Sequence, residues 1–170
     1  MIDVHCHLNF HAFEKDYEAV IKRAFDAGVT KIINVGTKID SSKKAVELAK
    51  NHKNLYAIVG VHPHHADNTP HPNPLPRGER ENLRIPSPLR GEGGGEGWIE
   101  QLENIAKHPK VVGIGECGMD YYRYKSNDIV ASKLQKEVFI KQIGLTYKLK
   151  LPLQIPVSYT HLTLPTTPYV

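Results

Sequence analysis

Apolar residues along this chain alternate between two textures: short unbroken runs, and longer stretches with one apolar face. Ile2 and Val4 open a short strand at the start, with His5, Cys6 and His7 where it would end. From Phe13 to Ala27, Tyr17, Val20, Ile21, Ala24 and Phe25 recur at helical spacing, and Gly28 follows as a C-cap. The run from Lys31 to Thr37 suits a buried strand, and Ser41 is expected to cap a helix reaching Asn51, with Ala45, Leu48 and Ala49 inward. A third strand spans Leu55 to Val61 and ends at His62-Pro63-His64; a third helix starts near Trp98. Val111 to Gly115 forms a fourth strand ending at Glu116. Lys133 to Lys150 is a long helix, and Leu153-Gln154-Ile155 begins a fifth strand after Pro152.

Strands that are apolar throughout, alternating with helices, imply a parallel sheet covered by helices. Polar residues gather just past the C-terminal ends of strands one, three and four, where an α/β barrel or an open doubly wound sheet assembles its site. The barrel is the expected form: an α/β fold comprising about five strands, the N-terminal portion of a TIM-type (β/α)8 barrel.

Two segments depart from this rhythm. Residues 70–97 hold six of the 12 prolines and six of the 13 glycines, with neither helical nor strand period. Their charges cancel, and two similar pieces, Pro74-Leu75-Pro76-Arg77-Gly78-Glu79 and Pro88-Leu89-Arg90-Gly91-Glu92-Gly93, resemble a translated repeat element. A flexible inserted loop is expected there, dividing the barrel domain into residues 1–69 and 98–156. Residues 157–170, uncharged and rich in Thr, resemble read-through of a sequencing adapter and are expected to be a non-native tail, so His161 is offered no role.

Composition changes the picture little. The chain is 170 residues long, 40% apolar and 24% charged, enough for one domain with a core. No apolar run approaches a membrane span, and the start lacks a secretory pattern, so a cytoplasmic setting without membrane association is expected. Two cysteines, Cys6 and Cys117, are too few for a disulfide framework. The net charge of +4 favours phosphate-bearing partners only mildly, and nothing points to an obligate protein partner.

The chemistry lies at the strand ends. Side chains two positions apart on a strand point to one side, so His5 and His7 can converge on one ion while Cys6 turns into the wall. A carboxylate at Glu116, ending a buried strand, must be paired or metal-bound. Two imidazoles with a carboxylate suit Zn²⁺, Mn²⁺ or Mg²⁺. Asp120 could hold a ligand His in its tautomer or touch substrate. His62 and His64, flanking Pro63, are candidates for a neutral base or a phosphate-binding cation, and Arg123 for a phosphate contact. His11, His52, His65, His71 and His108 receive no role.

Four stretches together are similar to the successive signatures of the TatD family of metal-dependent hydrolases: Met1 to Leu8, Ile32 to Thr37, Gly60 to His64, and Gly115 to Tyr122. The resemblance covers residues 1–69 and 98–155. It implies a deoxyribonuclease with DNA as substrate, using two divalent ions and metal-activated water. His5, His7 and Glu116 fall on metal-ligand positions. His62 and Asp120 fall on positions lining the substrate side, taken as catalytic, with His62, His64 and Arg123 binding substrate. The family pattern continues with a His after the fifth strand, another after the sixth and an Asp after the eighth; here Pro156 follows the fifth strand. Eight strands close such a barrel, so a non-catalytic truncated fragment is the alternative expectation, as is a related barrel hydrolase acting on an amide or ester.

Overall fold

The computed structural model describes residues 1–68, 97–121 and 132–155. Four strands, β1 (Ile2–Cys6), β2 (Lys31–Val35), β3 (Leu55–Val59) and β4 (Val111–Ile114), form one sheet in the order β1-β2-β3-β4. Every neighbouring pair is parallel. The helices are α1 (Tyr17–Asp26), α2 (Ile39–Asn51), α3 (Gly97–Ala106) and α4 (Ser132–Leu149), with 3₁₀ turns at His11–Phe13 and Pro63–Asn68. Residues 70–96 of the expected inserted loop, the expected tail, Arg123, His71 and His161 lie outside the described residues, while Gly97, expected to end the loop, opens α3.

The core lies between sheet and helices. Ile32, Leu55, Ala57, Val59, Val111 and Ile114 from the strands meet Ile21, Ala45, Val46, Ala49, Trp98, Leu102, Val138 and Leu145 from the helices. β1 differs from the other strands. Ile2 and Val4 are half exposed, because β1 pairs among the described residues with β2 alone. Cys6 turns toward the Ile33 carbonyl, 3.5 Å away, as the alternation of the strand requires.

Several boundaries move. α1 begins at Tyr17, not Phe13, because Phe13 closes a separate 3₁₀ turn. Gly28 ends α1 with φ of +92°, a conformation that costs glycine least, and its N–H bonds the Phe25 carbonyl. α2 starts at Ile39, so Ser41 is not its N-cap. Ser41 instead accepts from the N–H groups of Thr37 (2.8 Å) and Lys38 (3.0 Å) from within the first turn. The fifth strand is reduced to one parallel bridge between Leu153 and Ile114. Gly113, Gly115 and Gly118 have the spacing of a dinucleotide-binding loop, yet the chain is irregular from Gly115 to Tyr121 and opens no helix there.

The sheet curls. Three strand spacings would put β1 and β4 about 14 Å apart in a flat sheet. Yet Gln154 Nε2, on the segment that bridges β4 at Leu153, donates to the Val4 carbonyl at 3.2 Å. Where the paired strands β3 and β4 end, a Cβ on Gly60 would collide with the Gly115 carbonyl and stand 2.9 Å from Gln142 Oε1. Gly60→Ala is therefore expected to lower stability by roughly 1–3 kcal/mol through overpacking, read as a lower urea midpoint at unchanged slope.

Candidate metal centre

Each side chain of the site is delivered by a strand end. His5 is the fourth residue of β1 and His7 lies one past its end; Glu116 follows β4 by two. His5 Nε2 and His7 Nε2 are 3.2 Å apart. Glu116 Oε2 is 3.6 Å from the first and 3.8 Å from the second. A triangle with those sides has its centre about 2.1 Å from every corner, the bond length of a divalent ion to imidazole nitrogen or carboxylate oxygen. Among the described residues this is the one group of three or more His, Cys, Asp or Glu side chains arranged to hold a metal.

A hydrogen bond outside the triangle points the His7 lone pair inward. His7 Nδ1 lies 2.9 Å from the Val35 carbonyl oxygen, which can only accept. The proton of the neutral ring is therefore on Nδ1, and Nε2 presents its lone pair to the cluster. Asn9 Nδ2, buried, secures the same strand end by donating to the carbonyls of Val35 (3.2 Å) and Ser41 (2.9 Å). The donor set and its orientation fit a divalent cation.

His62 closes a second side. Its Nε2 is 3.9 Å from Glu116 Oε1. Its Nδ1 accepts the His64 backbone N–H at 3.2 Å, so the ring proton sits on Nε2. Burial, with His64 beside it, pulls the His62 pKa down to about 4. At neutral pH the ring is an uncharged N–H donor facing the carboxylate. Burial also raises the Glu116 pKa, against the pull of His7. Asp120 is wholly buried and places Oδ2 3.1 Å from His64 Nε2. Asp120 thus meets His64 rather than His5 or His7. The thiols stand apart from this chemistry, for burial pushes Cys6 up to about 11 and Cys117 to about 12.

Sequence reasoning missed the residues that hold these loops. Gln142 accepts the Val61 N–H at 2.8 Å and donates to the Val61 carbonyl at 3.0 Å. Gln135 does the same for Asp120, at 2.7 and 2.9 Å. Both amides are buried, two helical turns apart on α4, and that recurrence of a polar residue on the inner face was the available signal. Ser42 Oγ similarly accepts the Gly60 N–H at 3.2 Å.

A family model described as TatD related DNase matches residues 2–162. The chain belongs to the TatD family. A relative from Enterobacter lignolyticus, named 3'-5' ssDNA/RNA exonuclease TatD, is 29% identical over 161 residues, covering 95% of this chain and 51% of the relative. Bacillus subtilis YabD, an uncharacterized metal-dependent hydrolase, is 34% identical over 156 residues, covering 91% and 49%. The solved structure of YjjV, a TatD homologue from Escherichia coli, superposes with a TM-score of 0.65 at 29% identity, covering 91% of this chain and 49% of that one. A TatD family hydrolase from Entamoeba histolytica shares the fold, with a TM-score of 0.68 at 23% identity. The described strands are thus a partial TatD barrel, and the chain spans about half the length of the curated relatives it matches. No helix among the described residues is long and apolar enough to cross a membrane.

Two measurements follow from the site. Gln142→Leu strands the buried N–H and C=O of Val61 and is expected to cost roughly 2–4 kcal/mol, measured by urea unfolding. For His62, the folded pKa of about 4 lies below the ordinary 6.5, so the unfolded chain takes up the proton first. The stability it contributes is present above about pH 6.5 and lost as pH falls toward 4. Glu116, raised by burial, works in the opposite sense. Unfolding midpoints of the metal-free chain between pH 7 and 4.5 should therefore fall less steeply in His62→Gln.

Proposed function

We propose that these residues form the strand-end metal site of a TatD-type nuclease that hydrolyses phosphodiester bonds of single-stranded DNA or RNA. The observation that carries the reading is the His5, His7 and Glu116 triangle, whose dimensions fit a divalent cation. The names of the relatives, ssDNA/RNA exonuclease and metal-dependent hydrolase, favour it over the ester or amide chemistry the barrel class also allows. Because the chain spans about half of those relatives, the reading is of the enzyme to which the residues belong.

His5, His7 and Glu116 would hold divalent metal, in the two-ion arrangement expected from the family resemblance, with Zn²⁺, Mn²⁺ or Mg²⁺ suited to the donors. When bound, it supplies Lewis-acid polarisation of a phosphoryl oxygen and lowers the pKa of water. The other residues divide between contacting the substrate and positioning those that do. His62 Nε2–H, uncharged and facing Glu116 Oε1, donates to a phosphoryl oxygen brought to the cluster. Asp120 holds the His64 ring by Nε2, and His64 presents its backbone N–H to His62. Asp120 is accordingly a positioning acid. His64, from its place after β3, and Arg123, from its residue type, are candidates for contacting a substrate phosphate.

Calorimetric titration of the purified chain with Mn²⁺ or Zn²⁺ should show saturable binding, weakened by more than about a hundredfold in Glu116→Gln and in His7→Gln. The same substitutions should abolish metal-dependent release of nucleotides from a single-stranded oligonucleotide. Affinity indifferent to both substitutions would remove the basis of the reading. Preferential hydrolysis of a p-nitrophenyl ester would move it to the esterase class.

A further inference from the structure

Phe10 is a large apolar residue that the fold does not use to fill its core. It is 40% exposed, while Leu8 and Asn9 before it are buried. Its position is nonetheless fixed. Its N–H bonds the His7 carbonyl at 3.0 Å, and its own carbonyl accepts the Phe13 N–H at 3.0 Å. Its ring lies nearly parallel to the His7 imidazole, with centroids 4.4 Å apart and planes inclined by 19°. One face is therefore spent on His7. The ring stays substantially open to solvent although one side is covered.

We propose that Phe10 is a stacking platform for a base of single-stranded nucleic acid whose phosphate lies at the His5, His7 and Glu116 cluster; this rests on the nuclease reading above. An exposed aromatic ring held rigidly beside a phosphate-directed site loses little conformational freedom when a base settles on it, so the contact is retained as affinity. Stacking on an aromatic ring tolerates any base, since every base has a π-face. The His7 imidazole separates the Phe10 ring from the cluster, an offset that the sugar–phosphate linkage of one or two nucleotides bridges. A base within a duplex has both faces covered by its neighbours, so the platform selects unpaired ends and single strands. Tyr121, about half exposed, is a second open ring at this rim, directly after Asp120.

The test separates base from backbone. Fluorescence anisotropy would be measured for the full chain in Mn²⁺ with labelled oligothymidylate and with its abasic counterpart of equal length, both on a phosphorothioate backbone that resists turnover. The unsubstituted chain is expected to bind the base-bearing strand about tenfold more tightly. Phe10→Ala should bind both strands with the abasic affinity. Phe10→Trp should restore the preference, with its emission quenched by the base-bearing strand above the constant signal of buried Trp98. Retention of the preference by Phe10→Ala, or equal binding of both strands by the unsubstituted chain, overturns the proposal. Binding of neither strand overturns the nucleic-acid reading itself, and this inference with it.

Discussion

The curl of a four-stranded parallel sheet is the constraint on which everything else depends. Parallel strands place all their C-terminal ends at one rim, but that alone leaves β1 and β4 two strands apart. Curvature brings Glu116 within 4 Å of His5 and His7, over a hundred residues away in sequence. Where β3 and β4 end side by side, Gly60 is required because the Gly115 backbone passes too close for a side chain. The site is thus a property of the sheet's shape before it is a property of any one residue.

The electrostatics of the rim have a consistent direction. Burial opposes the charged form of both Glu116 and His62, raising one pKa and lowering the other. A neutral imidazole is what a metal ligand or hydrogen-bond donor needs. A buried carboxylate with a raised pKa is what a cation most strongly relieves. His7, its Nδ1 proton committed to Val35, adds a lone pair pointing to the same place. A cation placed within this group would relieve the burial of the Glu116 carboxylate.

Much of this was legible in the sequence, for reasons that differ by residue. The His5-Cys6-His7 spacing reads directly as convergence because side-chain alternation on a strand is local. Glu116 was legible because a lone acid after Val111-Val112-Gly113-Ile114 has no structural partner nearby. The strand and helix order also followed from local periodicity. The exposure of Ile2 and Val4 did not, because burial of an edge strand depends on which neighbours it has rather than on its own pattern. Ser41 was placed three residues past the true N-cap, Lys38, since a serine at the third helical position that reaches back to the N–H groups of Thr37 and Lys38 looks in sequence like a cap opening the helix. The tautomer of His62 was unreadable, being set by a backbone N–H two residues on whose direction only the folded 3₁₀ turn defines.

Gln135 and Gln142 show the division of labour most clearly. Strand ends can aim ligands without help because a strand's backbone is already fixed by its ladder. The segments after β3 and β4 have no ladder, and they carry His62, His64 and Asp120. Their backbone groups would be buried without partners, a cost of a few kcal/mol each. Two amides from α4 and one hydroxyl from α2 supply those partners at Val61, Asp120 and Gly60. The helices therefore do more than cover the sheet: they convert two irregular loops into surfaces as fixed as the strands beside them. That fixity is what a site needs if an uncharged N–H at His62 is to face a reacting phosphate without rearrangement.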